Sequence, residues 1–189
     1  MTYSLRDLAG IIEKLRSRGF RGVVIGSTVI QLYLGSRRLE DDVDFFAVEP
    51  SPLIEEDFYR GVAAEHGWGF SYTELGTPRI IARLPRGEVI LEFYENIHDF
   101  YIPEEMLRRA PVEKVSGTPI QHLLKEDYVA LKAKAGRRKD IEDLKRIYSL
   151  YRSGRLKIDT RLLREALQLL PEEDSRLAAK RLKSIGFPV

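Results

Sequence analysis

The segment from Gly22 to Val48 constrains this chain most, because it packs a strand, a tight turn, a short helix and an acid pair into one stretch. Gly22 to Ile25 (GVVI) reads as a buried strand, being short, apolar and bounded by glycines. Gly26-Ser27 then turns the chain into an amphipathic run, Thr28 to Leu34, which Gly35 stops. A helix N-terminus presents unpaired N–H groups, and a turn this small lets an anionic phosphate approach them. Asp41, Asp42, Val43 and Asp44 follow, leading into Phe45 to Val48. Strand side chains alternate, so Asp42 and Asp44 project to one face and Val43 to the other. Neighbouring carboxylates repel, and a hard divalent cation such as Mg²⁺ relieves that repulsion through oxygen ligands. A phosphate-sized turn beside paired acids implies phosphoryl or nucleotidyl transfer.

Composition excludes other chemistries. The chain has 189 residues and no cysteine, so disulfides, thiolate metal sites and cysteine nucleophiles are ruled out. Its three histidines, His66, His98 and His122, are too scattered for a zinc site. No apolar run approaches the ~20 residues that span a bilayer, and the first residues do not begin a signal peptide, so a cytoplasmic protein without membrane contact is expected. Dense charge without cysteine is a trait of thermophile proteins. The net charge of +2 hides an asymmetry. Residues 1–120 carry 14 Lys and Arg against 19 Asp and Glu, a net −5, whereas residues 121–189 carry 17 against 10, a net +7. That suits metal chemistry in front and an anion-gripping lobe behind, although a solvated helical surface has the same composition.

The element pattern is α+β. Ser4 with Asp7 makes a capping-box start for a helix over about Leu5 to Arg18. Ser51-Pro52 reads as N-cap and first-turn proline of a helix reaching Glu65. Phe70 to Thr73, Arg79 to Leu84 and Val89 to Glu95 are strand-like, the last two joined by Pro85-Arg86-Gly87 as a hairpin. A short helix near Pro103 to Arg108 and a strand at Val112 to Val115 follow. Helices then cover about Leu123 to Ala135, Lys139 to Arg152, a segment after Asp159 or Thr160, and one from Pro171 to Gly186. The expected organisation is a mixed α+β core over residues 1–120 and a helical lobe over 121–189.

Two further groups carry chemistry. Glu92 lies in Val89-Ile90-Leu91-Glu92-Phe93-Tyr94, where a lone charge is costly to bury without a partner. It is the candidate third carboxylate of a metal site; the plain alternative is an outward-facing residue, since Glu88, Glu92 and Tyr94 share parity. In the stretch from Glu126 to Leu144, Tyr128, Leu131 and Ala135 share a helical stripe with Lys132 at its edge. Lys132 could reach a ligand while its stem packs on apolar surface. Arg137 and Lys139 sit in the turn that follows, and Asp140 and Asp143 share a face. These groups read either as cations for a triphosphate or as a salt-bridged helical hairpin. The nine Tyr and eight Phe form no interleaved basic–aromatic platform, which argues against RNA binding.

Taken together, Gly26-Ser27, the segment Arg38-Leu39-Glu40-Asp41-Asp42-Val43-Asp44-Phe45, Glu92 and the Glu126-to-Asp143 stretch resemble the DNA polymerase beta-like nucleotidyltransferase superfamily. More narrowly they are similar to its small prokaryotic branch of abortive-infection toxins and minimal nucleotidyltransferases. The resemblance covers about residues 20–150 and implies a mixed β-sheet with flanking helices. It also implies two Mg²⁺ ions on Asp42, Asp44 and Glu92, and transfer of a nucleoside monophosphate from an NTP, ATP or CTP. Gly26, Ser27, Arg38, Lys132, Arg137 and Lys139 would hold the nucleotide phosphates. The acceptor would be a protein, a tRNA or a small molecule, and a homodimer or an antitoxin would be the macromolecular partner. Two positions depart from the family pattern: Glu40 stands where Ser or Thr is usual, and the third acid is Glu rather than Asp. Those departures leave a second class open, a degenerate module that binds a nucleotide or a partner without chemistry.

Overall fold

The computed structural model describes residues 2–40, 42–85, 87–97 and 100–189. Asp41 of the acidic segment, Arg86 of the expected hairpin turn and His98 therefore lie outside the described residues, as do Met1 and Asp99. In chain order the elements are β1 (Thr2–Ser4), α1 (Leu5–Ser17), β2 (Arg21–Ile25), α2 (Thr28–Tyr33), β3 (Arg38–Glu40) and β4 (Val43–Glu49). Next come α3 (Glu56–Glu65), β5 (Gly69–Tyr72), β6 (Pro78–Leu84), β7 (Gly87–Tyr94), α4 (Glu104–Arg108), β8 (Val112–Val115) and β9 (Thr118–Gln121). The helices α5 (Lys125–Ala135), α6 (Arg138–Arg152), α7 (Thr160–Gln168) and α8 (Glu172–Ile185) complete the chain. The fold is α+β, as the element pattern implied, and its five-stranded sheet is mixed, as the resemblance implied. No helix among the described residues is long and apolar enough to cross a membrane.

Contacts divide the chain into two units, Met1–Tyr101 with Ala110–His122, and Ile102–Arg109 with Leu123–Val189. The first holds the five-stranded sheet in the order β2-β4-β7-β6-β5. Only β4 and β7 run parallel; the other neighbours are antiparallel. The period-two alternation of the strands sorts their side chains. Val24, Phe45, Ala47, Ile80, Ala82, Val89, Leu91 and Phe93 share one buried cluster with Leu8, Ile11, Ile12 and Leu15 of α1 and Tyr59, Val62 and Ala63 of α3. Phe93 is its aromatic centre: it stacks on Phe45 at 5.5 Å and meets Phe20 edge-on at 5.4 Å. The residues of opposite parity, Asp44, Glu92 and Arg79 among them, are left for the other face.

The helix starts show which local signals held. Ser4 caps α1 as expected, its Oγ accepting from Asp7 N at 3.1 Å while Ser4 N donates to the Asp7 carboxylate at 2.8 Å. Ser51 does not start a helix, and α3 begins at Glu56. Ser51 Oγ instead accepts from Ile54 N at 3.2 Å and donates to Glu95 at 3.0 Å, so the residue closes a local turn. Three short strands were not expected: β1, its antiparallel partner β3, and β9, which pairs with β8 through a Ser116-Gly117 turn in which both residues have positive φ.

The second unit is built on α5, which contacts α6, α7 and α8. A helix so surrounded buries most of its circumference, and Glu126 and Asp127 are fully buried along with Val129, Ala130 and Ala133. The Arg109 guanidinium grips Asp127 with two hydrogen bonds, and Glu126 accepts from Asp159 N at 2.9 Å, at the N-cap of α7. Replacing Phe93 by Ala is expected to cost about 3–5 kcal/mol, read as a lower urea midpoint by circular dichroism.

Candidate functional site

The site starts where β2 ends. Ile25 pairs with Asp44 across β2 and β4, Asp44 with Glu92 across β4 and β7, and Glu92 with Arg79 across β7 and β6. These four residues form one transverse row, and paired residues on neighbouring strands project to the same face. Asp44 and Glu92 are therefore neighbours by register.

Gly26 follows Ile25 with φ +71°, and a Cβ at this position would overlap the Asp44 carboxylate. The glycine thus serves twice, turning the chain through the left-handed region and letting the carboxylate lie against its backbone. Asp42 precedes β4 and is half-buried. Its carbonyl accepts from the hydroxyl of buried Thr28 at 3.4 Å, which ties the acid segment to the first turn of α2. Ser27 opens α2, a helix of only six residues, so the dipole expected behind the turn is small.

Glu92 is buried, and both its oxygens have donors. Arg79 donates to Oε1 through Nε at 2.8 Å and again through Nη2, and the Tyr94 hydroxyl donates to Oε2. Hydrogen bonding to Glu92 holds the Arg79 guanidinium above its ordinary pKa; burial opposes this, while the charges of Glu92 and Asp42 add to it. Burial raises the Tyr94 hydroxyl, with the hydrogen bond to Glu92 and the charge of Asp44 acting in the same direction. Asp42, Asp44, Glu92, Arg79 and Tyr94 are thus one electrostatic neighbourhood. Among the described residues no group of three His, Cys, Asp or Glu side chains is arranged to hold a metal ion.

The remaining sequence candidates sit on other elements. Arg38 is exposed on β3, in the two-stranded sheet with β1. Lys132, Arg137 and Lys139 belong to the second unit. Lys132 donates to Asp140 at 2.8 Å and to Asp143 at 3.1 Å. Arg137 donates to Asp140 through its backbone N at 3.1 Å and its Nε at 2.8 Å, and Lys139 is exposed. Asp140 therefore holds Arg137 in a salt-bridged hairpin, while Asp143 holds Lys132. Burial works against ionisation of Asp140, but the bonds from Arg137 and Lys132 outweigh it and hold the carboxyl below its usual range.

Sequence reading missed Arg79, Tyr94 and Thr28. Arg79 had a signal: in a tight hairpin that pairs Leu84 with Gly87, the residue five before the first faces the residue five after the second. Those residues are Arg79 and Glu92.

A glycine turn and an acid row at the end of a mixed sheet define the class as a nucleotidyltransferase fold. Over residues 4–184 the sequence matches the family described as nucleotidyl transferase of unknown function (DUF2204), and the chain belongs to that family. Fold and family agree with the resemblance to the DNA polymerase beta-like superfamily. The chain is similar in fold to an antigenic nucleotidyltransferase-like protein from Paracoccidioides brasiliensis, with a TM-score of 0.60 at 15% identity, covering 97% of this chain and 90% of that one. ANT(2")-Ia in complex with adenylyl-2"-tobramycin matches with a TM-score of 0.46 at 14% identity, covering 95% and 97%. JHP933 from Helicobacter pylori matches with a TM-score of 0.44 at 16% identity, covering 94% and 88%. No curated protein matches the sequence.

Two predictions follow from this geometry. Gly26→Ala must displace the Asp44 carboxylate as well as strain the backbone, whereas Gly35→Ala, at φ +61° with open space around it, carries only the conformational cost of about 1–2 kcal/mol. Thermal melting of the two variants should therefore show the larger loss for Gly26→Ala. Asp140 has its folded pKa depressed, so its stabilisation is present above the unfolded value of about 4 and is lost as pH falls through the folded value. Asp140→Asn should cost about 3 kcal/mol at pH 7 and flatten the acid limb of a stability-versus-pH curve measured in urea.

Proposed function

We propose that this chain is a Mg²⁺-dependent nucleotidyltransferase that moves a nucleoside monophosphate from ATP or CTP to an acceptor hydroxyl. The observation that carries the reading is the approach of the Asp44 carboxylate to the backbone of Gly26, at the turn into α2. Asp42 and Asp44 offer the oxygen ligands a hard cation takes. Mg²⁺ held there would offset the acid pair and polarise the phosphate under attack. Glu92, whose Oε2 accepts a single hydrogen bond, would be the third ligand of a two-ion arrangement.

The chain's own residues supply the rest. Gly26 N–H and Ser27 hold phosphate oxygens, and Arg38 is the cation of the same unit for a triphosphate. The acceptor oxygen bonds to the α-phosphorus as the bond to the pyrophosphate oxygen breaks, and pyrophosphate leaves with the electron pair. Glu92 Oε2 accepts one hydrogen bond, from Tyr94, and keeps a lone pair for the acceptor's proton. The acceptor is a protein, a tRNA or a small molecule, the setting is the cytoplasm, and a homodimer or an antitoxin is the macromolecular partner.

One observation favours the alternative of a catalytically degenerate module that binds a nucleotide or a toxin–antitoxin partner: the engagement of Glu92 by Arg79 and Tyr94. Transfer of label from α-labelled ATP or CTP separates the two. Asp44→Ala is expected to lower transfer at least ~100-fold, and equal rates in both proteins would end the enzyme reading. A rise in melting temperature with ATP or CTP, with no label transferred, would favour the module.

A further inference from the structure

The five-stranded sheet ends at β2, and an end strand leaves alternate backbone N–H and C=O groups without a partner. Among the described residues β9 bridges that edge at one point, where Val24 pairs with His122 in parallel. Carrying the bridge three residues back on both strands sets Pro119 opposite Arg21. Proline has no N–H to offer, so the pairing cannot continue through this position. A cavity of about 390 Å³ lies there, lined by Arg21 and Gly22 of β2 and by Pro119 and Gln121 of β9. Its apolar wall is made by Ile12, Phe20, Val24 and Phe45, all of them buried. The charges at its rim are unequal. Arg21 pairs with Glu49. Arg16 donates through Nη1 to the Pro119 carbonyl at 3.3 Å and, among the described residues, meets no carboxylate. A guanidinium keeps its charge and carries five donors, so most of those on Arg16 remain available. The cavity belongs wholly to the first unit and sits at the Arg21 end of β2, ~13 Å along the strand from Ile25 and the acid row.

We propose that this cavity is a docking site for the carboxy-terminal end of an extended peptide. The peptide backbone pairs with the free edge of β2, its last apolar side chain packs against Ile12, Phe20 and Phe45, and its terminal carboxylate takes the Arg16 guanidinium. Three separate features therefore find their partners in one ligand. A fatty acid would satisfy the apolar wall and Arg16 but leave the strand edge to water. An internal peptide segment would pair with the edge but bring no carboxylate to Arg16. Together Arg16, Arg21 and Glu49 carry a net charge of +1, which one chain end neutralises. The volume is at the lower end of the about 300–1,000 Å³ usual for ligand sites, which suits a chain end better than a long segment.

The test is a titration of the intact, ¹⁵N-labelled chain with acetyl-Ala-Ala-Leu as the free acid, read from its amide signals by nuclear magnetic resonance. The peptide should shift the amides of Gly22, Val24 and Gln121 to saturation. The same peptide with its C-terminus amidated should bind about tenfold more weakly, and so should the free acid to Arg16→Gln, the loss expected of a charge-assisted hydrogen bond. Arg16 is exposed, so this substitution leaves the core untouched, and a melting curve of the variant checks that it does. Octanoate, which has the carboxylate and an apolar body but no backbone to pair, should bind more weakly than the peptide acid. No saturable shift, shifts confined to other residues, equal binding of acid and amide, unchanged binding by Arg16→Gln, or octanoate binding as tightly as the peptide would each overturn the proposal.

Discussion

Two carboxylates held side by side on adjacent strands are the constraint around which the first unit is arranged. Asp44 and Glu92 are register partners on β4 and β7, the one parallel pair in the five-stranded sheet. At a strand spacing of about 5 Å and an effective dielectric near 20, their mutual repulsion is about 3 kcal/mol. That is a large share of a domain's usual margin of about 5–15 kcal/mol, so the charges need compensation nearby. Arg79 and Tyr94 provide it for Glu92. The glycine turn gives Asp44 room against the backbone, and Thr28 anchors the segment that carries Asp42.

The apolar half of the same strands makes this arrangement affordable. Each strand contributes alternate residues to the core around Phe93 and the intervening ones to the polar row. A one-residue slip would exchange the two sets, placing Glu92 in the aromatic cluster, so packing and site geometry enforce the same register. The second unit follows a related logic on a helix. Lying among three other helices, α5 has acids that cannot reach water, so Asp127 takes Arg109 and Glu126 takes the backbone at the start of α7. Lys132, half-buried on α5, bridges Asp140 and Asp143.

Most of the element order was legible because its signals are local. Ser4 with Asp7, glycines after helices and apolar alternation in strands act over a few residues, and their elements formed. Reading failed where a local signal had a competing use. Ser51 has the sequence of an N-cap, but its hydroxyl closes a turn to Ile54 and reaches Glu95, 44 positions away. β1 and β3 are three residues each, too short for alternation to register, and they exist because they pair with each other. The candidate acids were readable as residue types at a fixed spacing. Their cation was harder to find, because Arg79 looks like any strand arginine until the hairpin register sets it opposite Glu92.

The amino-acid order alone determined that Gly26 would turn the chain, that an acid pair would follow it, and that a buried strand would carry one lone Glu, since each depends on residues close in the chain. Only the tertiary structure decided which acid lies beside which, because strand pairing sets Asp44 beside Glu92 across 48 positions and nothing local encodes a neighbour so distant. It also decided that Glu92 would meet an arginine and a tyrosine: a buried charge takes whatever donors the fold delivers to it.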